Sequence, residues 1–217
     1  MKAVERAYKI SRNEFFITVA GLAIAIYNNA SDIKLSWVYN GREDVQMLSS
    51  VGLMFRELPV GIHFKDSDTL RNVFADVHEQ VQKGIEHSCY PYVDSTDQYS
   101  NGEAAYLLYQ QDIRDSGGLE EFGIEPVEVR QNQAATQALL DIEILDGSDG
   151  LQVMIDFAAS NYEEASIERF KDIYVKIAQT LVTHNSQADV TIGEIKDKIA
   201  DKQNFFSIFA SIFRWKK

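Results

Sequence analysis

The chain has 217 residues, 45% of them hydrophobic and 11% aromatic, enough to bury a core as one large domain or two small ones. Its 33 acidic against 21 basic residues give a net charge of -12, a field that repels phosphate backbones and anionic lipid, so nucleic acid is not an expected partner. A lone cysteine, Cys89, excludes an internal disulfide framework and multi-thiolate metal sites and fits a reducing cytoplasm.

No secretory leader is expected, because Glu5, Arg6, Lys9, Arg12 and Glu14 interrupt every early apolar run. Ser11 and Glu14 form a capping box, in which hydroxyl and carboxylate each satisfy a free backbone N–H. Phe15, Phe16, Val19, Leu22, Ala23, Ile26 and Tyr27 follow at helical spacing, which predicts a buried helix to about Asn28. Ile33, Leu35, Trp37 and Tyr39 then alternate with Lys34, Ser36 and Val38 as a strand does, and Asn40-Gly41, both tolerant of positive φ, end it and deliver Arg42 to a turn.

Leu58, Val60 and Ile62 predict a second strand, which Pro59 confines to an edge, a bulge or an irregular start. In the next helix Leu70, Val73, Phe74, Val77, Val81 and Ile85 share one face, and Pro91 stops any continuation. Ala105 to Ile113 reads as a strand, Ser116-Gly-Gly118 through Gly123 as a loop, and Val127 to Arg130 as another short strand. The strongest hairpin pattern follows, with Leu140, Ile142 and Ile144 turning at Asp146 to Gly150 into Leu151, Val153, Ile155 and Phe157. Ile167, Phe170, Ile173, Tyr174, Ile177 and Leu181 define a long amphipathic helix ending near His184. These elements predict an α/β fold of two layers, a mixed sheet with helices on one face. Residues 201–217 form an apolar and basic tail, a docking or interfacial segment whose apolar run of roughly ten residues is too short for a membrane span, which needs about 20 as helix.

A set of motifs runs through the middle of the chain. Asn40-Gly41-Arg42 closes the first strand, Val51-Gly-Leu-Met-Phe-Arg-Glu-Leu-Pro-Val-Gly-Ile62 follows, then His87-Ser-Cys-Tyr-Pro-Tyr92 and Asp97-Gln-Tyr-Ser100, and Gln110-Gln-Asp112 ends a strand. In this order they resemble the second half of a condensation domain of a nonribosomal peptide synthetase. Such domains show a Gly-Arg pair, a segment I/V-G-x-F-V-N-T-L-P-L-R-V, a segment H-Q-D-Y-P-F-E and then R-D-x-S. Val51, Gly52, Leu58, Pro59, Val60 and Ile62 match the second of these in register, His87, Tyr90 and Pro91 the third, and Asp97 and Ser100 the last. The chain departs from the pattern at Arg56-Glu57, which replace Asn-Thr, at Gly61, which replaces Arg, at Ser88-Cys89, which replace Gln-Asp, and in a shortened stretch from Pro91 to Asp97.

The resemblance implies a chloramphenicol acetyltransferase-like half-domain over residues 1–200. It implies that Val51, Gly52, Met54, Leu58 and Pro59 serve as the floor of a substrate tunnel, and that Asn40, Gly41, Arg42, His87, Tyr90, Pro91, Asp97 and Ser100 are lobe-interface or structural residues. It implies a reaction in which an acceptor amine attacks a carrier-bound thioester, assisted by a histidine of an H-H-x-x-x-D-G motif. The histidines here are His63, His78, His87 and His184, none with that context, so no catalytic residue is assigned and the isolated chain is expected to be inactive. The implied partners are a histidine-bearing N-terminal lobe and carrier proteins whose phosphopantetheine brings the substrates. No cofactor or metal is expected on the chain itself, and an open lobe interface makes self-association plausible.

Rival readings stand beside these. Arg42 is either an organiser of the lobe interface or a solvated turn cation. His87 and Cys89 form a Cys-His pair by type, but residues two apart rarely present both side chains to one substrate, and the segment is read as structural. His63 and His78 read as surface or half-buried residues, and Glu163-Glu164 as a solvated pair. The alternative function is a catalytically silent interaction domain of a synthetase system, for which the missing histidine motif and the departures argue.

Overall fold

The structure, a computed structural model, describes residues 1–90, 103–111, 140–147, 150–183, 190–200 and 213–215. In chain order its elements are α1 (Lys2–Tyr8), α2 (Arg12–Asn28), β1 (Asp32–Tyr39), α3 (Val45–Leu48), β2 (Arg56–His63), α4 (Leu70–Glu86), β3 (Glu103–Gln111), β4 (Leu140–Gly147), β5 (Gly150–Asp156), α5 (Glu164–Thr183), α6 (Ile192–Ala200) and β6 (Phe213–Trp215). The strands form one six-stranded sheet in the order β2-β1-β3-β4-β5-β6. The β1/β2 and β4/β5 pairs are antiparallel and the others parallel, which makes the sheet mixed as expected.

The capping box at Ser11 is formed, with the Glu14 N–H donating to Ser11 Oγ at 3.2 Å and the Ser11 N–H to the Glu14 carboxylate at 2.6 Å. From there α2 runs through the centre of the molecule, and every residue from Glu14 to Ala25 is buried. A helix apolar all round fits only where it is enclosed on all sides. α2 lies on β1 and β3 and is flanked by α4 and α5. Gly21 marks how tightly: a Cβ there would stand 2.7 Å from Ile62 Cδ1 and 3.4 Å from the Phe64 ring.

Strand alternation sends Leu35, Trp37, Leu58, Val60, Ile62, Ala105, Leu107, Ile142, Ile144 and Val153 to the helical side, all of them buried. Pro59 is accommodated because β2 is the outermost strand of the sheet. The hairpin predicted from alternation is β4/β5, paired from Asp141↔Asp156 to Gly147↔Gly150. β3 begins two residues before the expected strand and ends at Gln111, while Ile113, the short strand expected over 127–130, and the loop with Ser116-Gly118 lie outside the described residues.

Three short helices, α1, α3 and α6, and the strand β6 are not among the elements predicted from the sequence. α6 is fastened by a reciprocal cap, Thr191 N–H to the Glu194 carboxylate at 2.9 Å and Glu194 N–H to Thr191 Oγ1 at 3.3 Å, and by an isolated bridge from Thr191 to Thr69 at the start of α4. β6 pairs in parallel with Leu151–Val153 of β5, so this part of the tail extends the sheet. Among the described residues, no single helix is long and apolar enough to cross a membrane.

Candidate functional site

One face of the sheet carries the helices; on the other, Val38, Tyr106, Leu108 and Gln110 stand side by side, because β1 and β3 are in register from Ser36↔Tyr106 to Trp37↔Leu107. At the carboxyl ends of these two strands the chain between α3 and β2 folds over the open face and borders a half-open cavity of about 670 Å³. Val38, Asn40, Arg42, Tyr106, Leu108, Tyr109 and Gln110 form its wall, and Gly52, Leu53, Met54 and Phe55 its other side. A volume of this size with mostly apolar walls and a few amide and hydroxyl groups suits a small organic group.

Local chemistry explains why the loop sits where it does. Gly41 has φ of +71° and is buried, and a Cβ at this position would collide with the Met54 carbonyl oxygen. Arg42, next in the chain, donates from Nη1 to the carbonyls of Met47 and Ser50 (2.9 Å) and to Met54 Sδ (3.3 Å), and from Nη2 to the Gly52 carbonyl (3.1 Å). These bonds make Arg42 the anchor of the 47–54 loop, a role different from both the organiser of the lobe interface and the solvated turn cation expected from sequence. Its planar fork reaches several carbonyls at once, which an ammonium cannot. Arg42→Lys is therefore expected to speed amide exchange over residues 50–54 by roughly tenfold at a stability cost of about 1 kcal/mol, read by hydrogen exchange and urea denaturation. Unchanged exchange would show the loop to be held by other contacts.

The structure separates the remaining sequence-derived site residues. Gly52 and Met54 line the cavity, whereas Val51 stands fully in solvent, Leu58 is buried on the helical side against Gly84 of α4, and Pro59 is exposed opposite Ser36. Asn40 and Arg42 line the cavity, and Gly41 underlies it. His87 caps the end of α4 with its backbone N–H donating to the carbonyls of Lys83 and Ile85, and Tyr90 is exposed, both away from the cavity. Pro91, Asp97 and Ser100 lie outside the described residues. His63 pairs with Asp32 at 2.6 Å on the surface and His78 with the buried Glu14 at 2.9 Å, so neither faces the cavity.

Two departures from the motif pattern meet in space. Arg56 donates to Ser88 Oγ at 2.8 Å and lies 3.3 Å from Glu43, and Ser88 donates to the same Glu43 carboxylate at 2.8 Å. The substitution in the β2 motif is thus partnered by the one at the end of α4, and together they tie the turn after β1 to that helix. Sequence reasoning gave no site role to Ser88, Tyr106, Leu108 or Gln110, although Ser88 and Gln110 lay within the motifs it quoted. For the last three the signal was present, since alternation along β3 places them opposite the buried Ala105 and Leu107.

Beyond the cavity the open face turns acidic. Tyr106 pairs with Asp141 on β4, Asp141 with Asp156 on β5, and Val38 with Glu57 on β2. Burial, with Asp156, Glu143 and Glu57 adding repulsion, pushes the Asp141 carboxyl up to about 6, and burial with Glu57 and Asp141 nearby pushes the Tyr106 hydroxyl up to about 12. At neutral pH, Tyr106 is thus a neutral hydrogen-bond donor. A carboxyl whose folded pKa exceeds its unfolded value of about 3.9 leaves stability intact below that value and erodes it as pH rises through about 6. Asp141→Asn should accordingly flatten the fall in stability between these pH values and raise stability at pH 7 by about 1 kcal/mol, allowing for solvent screening of a half-exposed group. Denaturation curves at pH 4 and pH 7 decide it, and a parallel loss at both would contradict the assignment.

Comparison with known proteins agrees with this architecture. The condensation-domain family model matches residues 1–203. The chain is 21% identical over 211 residues to an isonitrile lipopeptide synthase of Streptomyces coeruleorubidus, covering 92% of this chain and 14% of that protein. It is 24% identical over 204 residues to a plipastatin synthase of Bacillus subtilis (strain 168), covering 85% and 8%. Among solved structures, the first condensation domain of the CDA synthetase superposes with a TM-score of 0.68 at 18% identity, over 88% of this chain and 43% of that one. The X-domain from teicoplanin biosynthesis gives 0.65 at 16%, over 89% and 45%. The chain thus spans under half the length of these structural neighbours and a small part of the synthetases. With a family match over nearly its whole length and a mixed sheet, helices on one face, that superposes on solved condensation domains, the chain belongs to the condensation-domain family.

Proposed function

We propose that residues 1–200 serve as the wall-and-floor lobe of an amide-forming condensation site, working with a histidine-bearing N-terminal lobe and with carrier proteins that deliver substrates on phosphopantetheine. The observation that supports this most is the cavity at the carboxyl ends of β1 and β3, roofed by the motif-bearing loop that Gly41 and Arg42 seat. In the reaction an acceptor amine attacks the carbonyl of a donor thioester; the C–N bond forms, the C–S bond breaks, and the amine proton passes to the departing thiolate. A base near neutrality assists that transfer. Among the described residues no histidine lines the cavity, so the chain's share is to shape and orient, and the base comes from the other lobe.

Mixing this chain with a histidine-bearing lobe and two loaded carriers tests the proposal. Amide product is expected from the mixture and none from the chain alone. A verified complex of the two lobes that shows neither product nor carrier binding would overturn it. The second reading, a catalytically silent docking domain, is favoured by the exposed apolar side chains of Val45, Leu48, Val51 and Leu53 around the loop. Carrier or partner binding without product in the same experiment selects it.

A further inference from the structure

Resting on that reading, the charge arrangement of the cavity bears on which substrates it accepts. Its wall is built from Val38, Leu53, Met54, Phe55 and Leu108, and Met54 is the kind of flexible side chain that adapts to irregular apolar groups. The cation in the wall, Arg42, has both terminal nitrogens engaged by the loop's own carbonyls and by Met54 Sδ. An anion entering the cavity would have to take Arg42 from those partners and unseat the loop. Three carboxylates stand next to the wall by strand register: Glu57 opposite Val38, Asp141 opposite Tyr106, and Glu143 opposite Leu108, the last accepting from the Gln110 amide at 2.6 Å. Glu57 and Asp141 are the two whose field bears on the Tyr106 hydroxyl inside the cavity, where both favour its protonated form. The polar groups that remain, the Asn40 amide, the Gln110 amide, whose nitrogen already donates to Glu143, and the Tyr106 hydroxyl, are neutral and suit carbonyl or amide groups of a substrate.

We propose that this cavity takes predominantly apolar acyl or aminoacyl groups and discriminates against those bearing a carboxylate, with Glu57 and Asp141 as the residues that set the discrimination. The selection follows from differential desolvation: among the described residues the cavity's lining offers a carboxylate no cation that is not already engaged, and carboxylates of like charge stand at the rim.

A matched pair of probes tests this on the full chain. Hexanoyl-pantetheine and adipoyl-pantetheine differ at the chain end, where the second carries a carboxylate. Titrations at pH 7 follow the methyl resonances of Leu53, Met54 and Leu108. Hexanoyl-pantetheine is expected to shift these methyls at concentrations at least about tenfold lower than adipoyl-pantetheine, and the ratio is expected to narrow to roughly threefold or less in Glu57→Gln/Asp141→Asn. Equal or tighter binding of the adipoyl probe overturns the charge selection while leaving the cavity as the acyl site. An unchanged ratio in the double variant overturns the role of Glu57 and Asp141. Failure of both probes to shift these methyls at millimolar concentration overturns the acyl-site reading itself.

Discussion

Gly41→Ala is expected to destabilise the protein by about 3 kcal/mol and to release the loop that roofs the cavity. Two costs add. An alanine at φ of +71° sits in the left-handed region, which costs a side-chain-bearing residue about 1–2 kcal/mol. Its Cβ also meets the Met54 carbonyl oxygen, with the Met54 carbonyl carbon only 3.0 Å away, so backbone must shift. Because Met54 also gives its sulfur to Arg42, that shift propagates into the clamp over residues 47–54. Gly41→Asn separates the two costs, since asparagine tolerates positive φ but still carries a Cβ; it should lose nearly as much if the collision dominates. Urea midpoints and the methyl signals of Leu53 and Met54 provide the readout. A loss under about 1 kcal/mol with unmoved signals would mean that the loop is not seated on Gly41.

Phe74→Ala is expected to cost about 3–5 kcal/mol. Phe74 is fully buried on α4, with its ring 5.0 Å from that of Tyr8 on α1 and stacked at 6.3 Å on Phe15 of α2. Its removal opens a cavity where three helices converge, and Tyr8, whose ring also carries Arg71 at 5.2 Å, cannot fill it without leaving that contact. Val45→Ala is the control: its side chain is 79% exposed, and the change should stay within about 0.5 kcal/mol. A Phe74→Ala loss below about 1.5 kcal/mol would show that the helices close over the gap.

The helical face of the sheet was readable because burial on one side imposes a period of two. Leu35 with Trp37, Leu58 with Val60, and Ile142 with Ile144 announce their strands without help from the rest of the chain. α4 was readable for the matching reason, with Leu70, Val73, Val77 and Val81 on a single stripe. α2 was only half readable. Its apolar residues gave the helix, but total enclosure erases the polar face, so periodicity could not say which neighbours surround it. α1 and α3 are short and carry little period, whereas α6 carries a Thr191–Glu194 capping box and a stripe of Ile192, Ile195 and Ile199, signals that the sequence reading passed over. The motif loop was legible as a segment from its family pattern, yet that pattern could not distinguish Met54, which faces the cavity, from Val51, which faces water, or Leu58, which faces α4.

Sequence alone determined the local chemistry: the Ser11–Glu14 cap, the alternation of the strands, the turn at Asn40-Gly41 and the order of motifs that places the chain in its family, because each depends on residues close together in the chain. Tertiary structure alone decided the site. Val38 and Leu108 become neighbours only through parallel pairing across the intervening α3, β2 and α4, and Arg42 finds its carbonyls only once the loop has folded back. Arg56 likewise meets Ser88 only when α4 packs on β2. Contacts between residues distant in sequence are fixed by how the layers pack, and no local pattern records them.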